Sequence, residues 1–428
     1  MSPLPRARTA AEAPTLLDAL ARAPAAAALV IGALGQKDRG ALRLVHTQLQ
    51  DAVGEVVTKL SGVLYVRVRP PTARRWPRLK ELSLSRPSLA ALEALGSGTW
   101  VHLRALCLEH PDQSHFVLNA PSARLLVAAL RRMPALRSLE LCSLKLQDML
   151  LSNAAAGELF CASSAEAVRQ LRTLRLTDVS LTPEMARMIA ATGWRLEELD
   201  LYYNSALGPA GAAALLAAPT FALRRLALGA CNLDAANFLA LANASWPLEE
   251  LDLSHNDFSG AAAGPALAAL SKHVGLRKLV LSCCSLSAAS FKALVEATWP
   301  ALTLLSAHDA KVEFAGPHAL GAAAAFAGFP ALEALRMAGV VLGAAGARLL
   351  ASRRWPCLRE LHLFNTQLGD AGVAALARGT WPALTYLNLC ANGLTAPPDF
   401  EDAPALVEYH ADVRDHEDSD PETEGEPE

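Results

Sequence analysis

The chain has few aromatic residues and no strong net charge. Aromatic residues make up 5% of its 428 residues and charged residues 19%, against 52% hydrophobic residues. The formal net charge of −3 gives no sign of a polyanion-binding protein on global charge. The hydrophobic share is too high for a disordered chain, so most of the chain must fold.

Paired cysteines and long membrane segments are also missing. The eight cysteines are scattered, without a C-x-x-C pair, which is typical of reduced thiols in a cytosolic-type compartment. The best candidate for a membrane span, Ala23 to Gly35, has thirteen residues and contains Pro24 and Gly32, so it is too short. We therefore expect a cytoplasmic protein, with the nucleus or the cytoskeleton or axoneme of a cilium as alternatives.

Sequence motifs for catalysis are absent. The chain lacks G-x-x-x-x-G-K-[ST], G-x-G-x-x-G, H-E-x-x-H and G-x-S-x-G, so phosphate cradles, zinc proteolysis and the common serine hydrolase turn have no support. Glu250, Asp252 and His255 have suitable side chains for a metal or an acid–base pair, but nothing in the sequence builds a dry pocket around them. We expect no enzyme, no cofactor and no bound metal.

What the chain does have is an internal repeat. The pattern L-x-x-L-x-L recurs at intervals that average close to 28 residues, and two of the repeats replace the third leucine by Ala307 and Met337. The first leucines of the twelve repeats are Leu79, Leu103, Leu136, Leu171, Leu196, Leu223, Leu248, Leu276, Leu302, Leu332, Leu358 and Leu384.

Each repeat predicts a short strand followed by a helix. The three leucines face inward, and Ala- and Leu-rich stretches such as 208–218, 260–270 and 369–378 have helical spacing. Burying three leucines stabilises by about 1.5 to 3 kcal/mol each, which does not offset the ordering of some 25 residues at ~1.5 kcal/mol each. Stacking of many repeats is therefore obligatory.

Two further positions recur with the leucines. Position nine of the motif carries a short polar side chain, which we expect to satisfy the backbone of the turn; these residues are Asn204, Asn256, Asn392, Cys231 and Cys284. All seven tryptophans stand two or three residues before a first leucine, and we interpret them as plugs between helix and strand rather than as a ligand platform.

The ends of the array also follow the pattern. Val63 to Val68 has the form V-x-x-V-x-V and predicts a capping strand, while Leu406, Tyr409 and Ala411 predict a degraded closing strand. From Arg414 to Glu428 there are eight acidic residues and one arginine, net −7. We predict a disordered stretch at 1–14, a helical segment at 15–62, the repeat array at 63–413 and an acidic disordered tail at 414–428.

From Leu79 to Leu394 the chain resembles the leucine-rich repeat proteins of the ribonuclease-inhibitor-like class. The resemblance implies an α/β solenoid, with a curved parallel sheet on its concave face and helices on its convex face, that binds other proteins. The side chains at positions three, five, seven and eight of the motif would line that concave face, because strand side chains alternate.

These positions give candidate partner-binding residues. They are Glu198, Asp200, Tyr202, Tyr203, Arg225, Glu250, Asp252, His255 and His308, extended by Asp309, Arg336, His362 and Phe364. An acidic patch with tyrosines at its edge suits a protein interface, because aromatic residues anchor interfaces and charge selects partners. The alternative is an ordinary solvated strand face.

The N-terminal segment resembles the F-box. Val30-Ile31, Leu34, Asp38 and the run from Leu42 to Leu49 match its spacing, although Ala23-Pro24 replaces the opening Leu-Pro pair and Leu49 replaces an aromatic residue. The resemblance implies that this segment docks on the Skp-type adaptor of a cullin ubiquitin ligase through Ile31, Leu34, Leu42, Val45 and Leu49. The alternative is a helical cap for the first repeat.

We therefore expect a non-catalytic module for protein–protein interaction, most simply the substrate-recognition subunit of a cullin-type (SCF) ubiquitin ligase. The alternatives are a scaffold of the cytoskeleton or axoneme and a regulator of a small GTPase, a class that also carries an acidic tail. We expect a monomer apart from its protein partners, with no nucleic acid or membrane bound.

Overall fold

The computed structural model describes residues 59–63, 73, 77–85, 89–109, 120–142, 156–161, 168–313, 326–395, 400, 406 and 408–411. The chain divides into an N-terminal body, residues 1–179, and a C-terminal body, residues 180–428. The predicted disordered stretch 1–14, residues 15–58 of the predicted helical segment and the acidic tail 414–428 lie outside the described residues.

A strand begins two residues after the first leucine of every one of the twelve repeats. In the N-terminal body these strands are β2 (Glu81–Ser85), β3 (Ala105–Glu109), β4 (Ser138–Cys142) and β5 (Thr173–Arg175). In the C-terminal body they are β6 (Glu198–Asp200), β7 (Arg225–Ala227), β8 (Glu250–Asp252), β10 (Lys278–Val280), β12 (Leu304–Ser306), β14 (Ala334–Arg336), β15 (Glu360–His362) and β16 (Tyr386–Asn388).

All of these strands pair in parallel with the next repeat of the same body, and the register places leucine opposite leucine. Leu226 of β7, for example, lies opposite Leu199 on one side and Leu251 on the other. These three side chains are at most 3% exposed. The repeated leucines therefore form a continuous buried layer beneath the sheet, as the spacing predicts.

The described helices connect consecutive strands. They are Leu89–Gly96 and Ala120–Leu130 in the N-terminal body, and Pro183–Ala191, Gly208–Leu216, Ala235–Ala242, Ala263–Ala269, Ala288–Glu296, Gly343–Ala351 and Gly369–Ala377 in the C-terminal body. Short polar residues start several of them: the Asp234 carboxylate accepts a hydrogen bond from Asn237 N at 2.9 Å, in a capping box. Strands pack beside strands and helices beside helices, so the predicted α/β repeat fold is confirmed.

The position-nine residues satisfy the backbone as predicted. The Asn256 amide donates to Leu228 O and Leu253 O, both at 2.9 Å, and accepts from Leu233 N at 3.1 Å. It therefore links its own repeat to the preceding one. Where cysteine replaces asparagine, the thiol makes only the donor contact, as from Cys231 Sγ to Leu201 O at 3.1 Å.

The tryptophans are structural, in agreement with the prediction. The indole N–H of Trp355 donates to Leu350 O at 2.9 Å, the carbonyl at the end of the preceding helix, and its ring is 2% exposed. Trp100, Trp299 and Trp381 make the same bond five residues back. Trp246 is only half-buried, and Trp76 lies outside the described residues.

A second, smaller ladder follows position nine in three consecutive repeats and was not predicted. It consists of β9 (Asp257–Phe258), β11 (Ser285–Ser287) and β13 (Lys311–Glu313), all parallel. Phe258 and Leu286 are opposite each other and fully buried, and the Phe258 ring stacks on Phe238 at 4.0 Å between centroids.

The end strands differ in how well they were predicted. The capping strand is β1, Lys59–Val63, so the prediction of helix up to residue 62 is wrong for its last four residues. Its register with β2 puts Leu60 opposite Leu82, where the V-x-x-V-x-V run predicted Val66, so the capping strand lies earlier in the sequence than predicted. The closing strand, β17 (Glu408–His410), pairs with β16 and places Tyr409 opposite Leu387, as predicted.

Among the described residues, no helix combines the length and the apolar character needed to cross a membrane.

Candidate protein-binding site

Most of the predicted site lies on strands β6, β7 and β8 of the C-terminal body and on the turns that follow them. Position three of the motif, which is the first residue of each of these strands, holds Glu198, Arg225 and Glu250 in direct register. The Arg225 guanidinium lies 2.9 Å from a Glu250 carboxylate oxygen and 3.5 Å from one of Glu198. The hydrogen bond to Glu250 raises the pKa of Arg225 above its ordinary value. Ion pairs this exposed add little stability, so their main effect is to orient the three side chains.

Position five holds two aspartates on either side of Ala227. Asp200 and Asp252 both lie opposite this small residue in the register. The Asp200 carboxylate accepts a hydrogen bond from Tyr202 N at 3.0 Å, and Asp252 accepts from Ser254 N at 2.9 Å and Ser254 Oγ at 2.6 Å. The carboxylates are thus held at fixed positions by the turns that follow their own strands.

Three rings form an aromatic group just past these strands. Tyr202 and Tyr203 meet edge to face at 4.5 Å between centroids, and the His255 ring lies 6.0 Å from Tyr202 and 5.8 Å from Tyr203. Tyr203 is 52% exposed, while burial raises the pKa of Tyr202 above its usual range. The structure therefore brings together the eight residues we call the acidic–aromatic cluster: Glu198, Asp200, Tyr202, Tyr203, Arg225, Glu250, Asp252 and His255.

Position eight of the motif adopts a left-handed backbone in every repeat of the C-terminal body. Tyr203 has φ of 61° and His255 has φ of 57°, and the other members are Ala230, Cys283, Asp309, Gly339, Asn365 and Ala391. A left-handed residue is uncommon outside glycine and asparagine. This conformation turns Tyr203 and His255 toward each other across two repeats. Gly339 and Asn365 are of types that favour it, whereas Tyr203, Ala230, Cys283 and Ala391 are not.

His308 does not join the cluster. It is on the repeat of β12, two strands beyond β8, and its Nε2 atom lies 3.2 Å from its neighbour Asp309. Further along, the Arg336 guanidinium lies 3.0 Å from Glu360, and the His362 ring packs against Tyr386 at 4.7 Å. Burial and the nearby Arg336 lower the pKa of His362, which favours the neutral imidazole beside the ion pair of Arg336 and Glu360.

The adaptor-binding residues predicted from the F-box-like pattern lie outside the described residues, and their role stays a prediction. They are Ile31, Leu34, Leu42, Val45 and Leu49. Within the part of the chain that the structure describes, no group of three or more His, Cys, Asp or Glu side chains is arranged to hold a metal ion. Glu250 is instead engaged with Arg225, and Asp252 with Ser254.

Comparisons with known proteins agree with the repeat architecture of the chain. A family model described as leucine-rich repeat matches residues 247–263 and 356–377. The chain is 32% identical over 237 residues to the ribonuclease inhibitor of Sus scrofa, across 52% of this chain and 49% of the inhibitor. The chain thus contains leucine-rich repeats. It spans about half the length of the curated relative it matches.

One solved structure extends the likeness in fold to most of the chain. A crystal structure of the Rad7 and Elc1 complex in yeast contains a chain that aligns with a TM-score of 0.50 and 16% identity, over 90% of this chain and 92% of that chain. An internalin from Listeria monocytogenes aligns with a TM-score of 0.40 and 14% identity, over 94% and 98% of the two chains. At 16% identity, the chain of the Rad7 and Elc1 complex shows a shared fold alone. The TM-score of 0.40 for the internalin supports no inference.

Proposed function

We propose that this protein is the substrate-recognition subunit of a cullin-type (SCF) ubiquitin ligase. In this proposal the acidic–aromatic cluster holds the substrate, and segment 15–58 docks on the Skp-type adaptor. The observation that carries the recognition role is the grouping of an exposed tyrosine, a second tyrosine and four carboxylates on three neighbouring strands and the turns that follow them. Exposed aromatic residues beside fixed charges are the usual composition of an interface hot spot.

A subunit of this kind needs no catalytic residue. Holding a substrate beside a conjugating enzyme raises its effective concentration, which accelerates transfer without any chemistry in the tethering chain. The solved structure of like fold is itself a complex of two proteins, Rad7 and Elc1. The support for adaptor docking here is the F-box-like spacing of residues 30–49.

The adaptor part of the proposal is tested by measuring binding between purified proteins. Purified full-length chain is mixed with a Skp-type adaptor, and the dissociation constant is measured by isothermal titration calorimetry. We expect micromolar or tighter binding that is lost in the double variant Leu42→Asp with Val45→Asp. The matched control is Leu239→Asp, a 48% exposed leucine on the helix Ala235–Ala242, which is expected to bind normally. Absence of binding, or binding unchanged by the double variant, rejects this part.

The substrate part is tested on the cluster. Complexes recovered with the full-length chain are quantified by mass spectrometry for the wild type, Tyr202→Ala and Asp252→Arg. We expect a discrete protein to fall at least fivefold in both variants and to be retained by Leu239→Ala on the helix side. Equal recovery with all variants would place the binding surface elsewhere.

The same purified protein can be used to test two alternative functions. Co-sedimentation with microtubules or axonemes, without adaptor binding, would indicate a cytoskeletal scaffold. Stimulated GTP hydrolysis by a small GTPase would indicate a regulator. Either result, together with failure of the adaptor titration, replaces the ubiquitin-ligase proposal.

A further inference from the structure

The N-terminal body carries an unbroken row of basic residues at motif position two. Lys80, Arg104, Arg137 and Arg172 each follow the first leucine of consecutive repeats, and we call them the basic ladder. Their backbones are bonded in series: Arg104 N donates to Lys80 O at 2.7 Å, Arg137 N to Arg104 O at 2.8 Å, and Arg172 N to Arg137 O at 2.8 Å. Neighbouring members are therefore one strand spacing apart, about 4.8 Å.

The same position in the C-terminal body is mixed. Glu197, Arg224, Glu249 and Arg277 alternate in sign along consecutive repeats, and Arg224 forms an ion pair with Glu249. Thr303, Glu333, Arg359 and Thr385 complete that column. Opposite charges in neighbouring strands stabilise a sheet, whereas like charges directly opposite each other destabilise it. The basic ladder is thus an arrangement that the fold does not require.

The surroundings of the basic ladder strengthen its charge. The described segments that lead into β2, β3, β4 and β5 are 77–80, 97–104, 131–137 and 168–172, and they contain no acidic residue. They add four exposed arginines to the ladder: Arg78, Arg131, Arg132 and Arg169. The column next to the ladder, at position three, contributes one acidic residue, Glu81, beside Ala105, Ser138 and Thr173. The described part of this edge is therefore strongly positive, although the chain as a whole is not.

We propose that this edge of the N-terminal body binds an acidic, extended segment of a partner protein. The partner chemistry follows from charge complementarity: a row of cations along a sheet edge offers guanidinium groups, which bind carboxylates as charge-assisted hydrogen-bond pairs. The proposal does not depend on the role of the acidic–aromatic cluster, which belongs to the other body.

The dimensions of the row suit an extended peptide. From Lys80 to Arg172 the ladder covers three strand spacings, about 14 Å. In an extended chain, every second side chain is on the same side, about 6.7 Å apart. A segment with acidic residues at alternate positions therefore presents about three carboxylates over the length of the ladder.

Nucleic acid and membrane are less well matched. Single-stranded nucleic acid is bound by basic grooves with exposed aromatic platforms, and in these described segments Trp100 is the one aromatic ring apart from His102 and is 2% exposed. Firm membrane attachment adds inserted apolar residues to basic ones, and Val101 is the one large hydrophobic side chain that stands out in these segments, at 54% exposure.

The test uses the full-length chain and a fluorescently labelled polyglutamate peptide of about 15 residues, titrated by fluorescence anisotropy at ~50 mM salt. We expect micromolar binding that weakens steeply as salt is raised. The double variant Arg104→Glu with Arg137→Glu should weaken binding at least tenfold, with unchanged circular dichroism. The matched control, Arg277→Glu with Arg359→Glu, reverses the same motif position in the C-terminal body and should change affinity less than twofold.

Three results would overturn the proposal. The first is no binding of polyglutamate at low salt. The second is an equal loss in both double variants, which would mean a general charge effect. The third is tighter binding, through Arg104 and Arg137, of a single-stranded oligonucleotide or of vesicles containing phosphatidylserine than of the peptide. A polyglutamine peptide of the same length serves as the uncharged probe.

Discussion

The ring of Tyr202 lies directly over Gly229 of the next repeat, where a Cβ atom would overlap the Cδ2 and Cε2 atoms of the tyrosine. Gly229 is at motif position seven, the same position as Tyr202 itself. A glycine here is what allows the ring to fold down across the strand ladder and meet Tyr203 and His255. The acidic–aromatic cluster therefore depends on a residue that carries no side chain.

Gly229→Ala should displace the Tyr202 ring and lower stability. Forcing a methyl group into a packed contact costs about 1 to 3 kcal/mol. Chemical denaturation monitored by circular dichroism measures the loss, and the NMR signals of the His255 ring should shift as the tyrosine moves away. Gly260→Ala is the matched control, because no atom lies within 4 Å of its added Cβ. Equal effects at both glycines would refute the contact.

Asn256→Ala should destabilise the C-terminal body more than an exposed asparagine does. The change removes the amide that bonds Leu228 O, Leu253 O and Leu233 N. Leu253 O keeps its contact with the Cys284 thiol, so the Leu228 carbonyl and the Leu233 N–H lose their partner, at about 1 to 3 kcal/mol for each buried group left unsatisfied. Asn243→Ala, which removes an exposed bond to Lys272, is expected to change stability by less than ~0.5 kcal/mol. Asn256→Cys should recover part of the loss, because Cys231 and Cys284 fill the same position in other repeats.

The strands were predictable and the turns were not. Leucines such as Leu199, Leu226 and Leu251 must be buried, and this determines which face of each strand points inward. The leucine spacing therefore predicts the positions of all twelve strands. The left-handed turn at position eight comes from closing each repeat onto the next, and residues such as Tyr203 and Ala230 do not favour it. The sequence gave only a partial signal for it, at Gly339 and Asn365, because the constraint is not local.

The site was predictable as a face but not as a set of contacts. Strand alternation correctly puts Glu198, Asp200 and Arg225 on one side of the sheet. Which side chains pair depends on the register and on the number of strands between them, and for this reason Arg225 lies between two glutamates while His308 lies two strands away. Gly229 and Ala227 matter because their small size leaves room for neighbouring side chains. A sequence pattern does not show which side chains fill that room.

Alkaline pH should unfold the C-terminal body through its buried thiols. Burial raises the pKa of Cys231 and of Cys284 to about 12, whereas a thiol in an unfolded chain titrates near ~8.5. Between these values the unfolded state holds fewer protons than the folded state, so the free energy of unfolding falls as pH rises. This contribution is intact below about pH 8.

The measurement is the free energy of unfolding between about pH 7 and 11 for the wild type and for Cys231→Ser. Serine does not titrate in this range, so the decline with pH should be shallower in the variant. Parallel declines would show that other groups cause the loss. In the same samples, iodoacetamide should modify the exposed Cys283 much faster than the buried Cys284 at pH 8.

Arg104→Gln should leave the N-terminal body equally stable or raise its stability by a few tenths of a kcal/mol, because it removes a like-charge contact between neighbouring strands. Arg224→Gln removes an ion pair with Glu249 and should have the opposite sign. Thermal denaturation at ~0.05 M and ~0.5 M salt measures both, and the difference between the variants should shrink at high salt. A clear loss of stability in Arg104→Gln would show that the basic ladder is stabilised by contacts within the fold.

The most direct measurement of the central claim, that the strand face of the C-terminal body is the protein-binding surface, is site-specific photo-crosslinking. A benzophenone amino acid is placed at position 203, in the acidic–aromatic cluster, or at position 239, on the helix side, and crosslinked partners are identified by mass spectrometry. We predict a discrete protein crosslinked from position 203 and not from 239, and lost when Asp252→Arg is added. Crosslinking from position 239 alone, or a position-203 product indifferent to Asp252→Arg, would contradict the account.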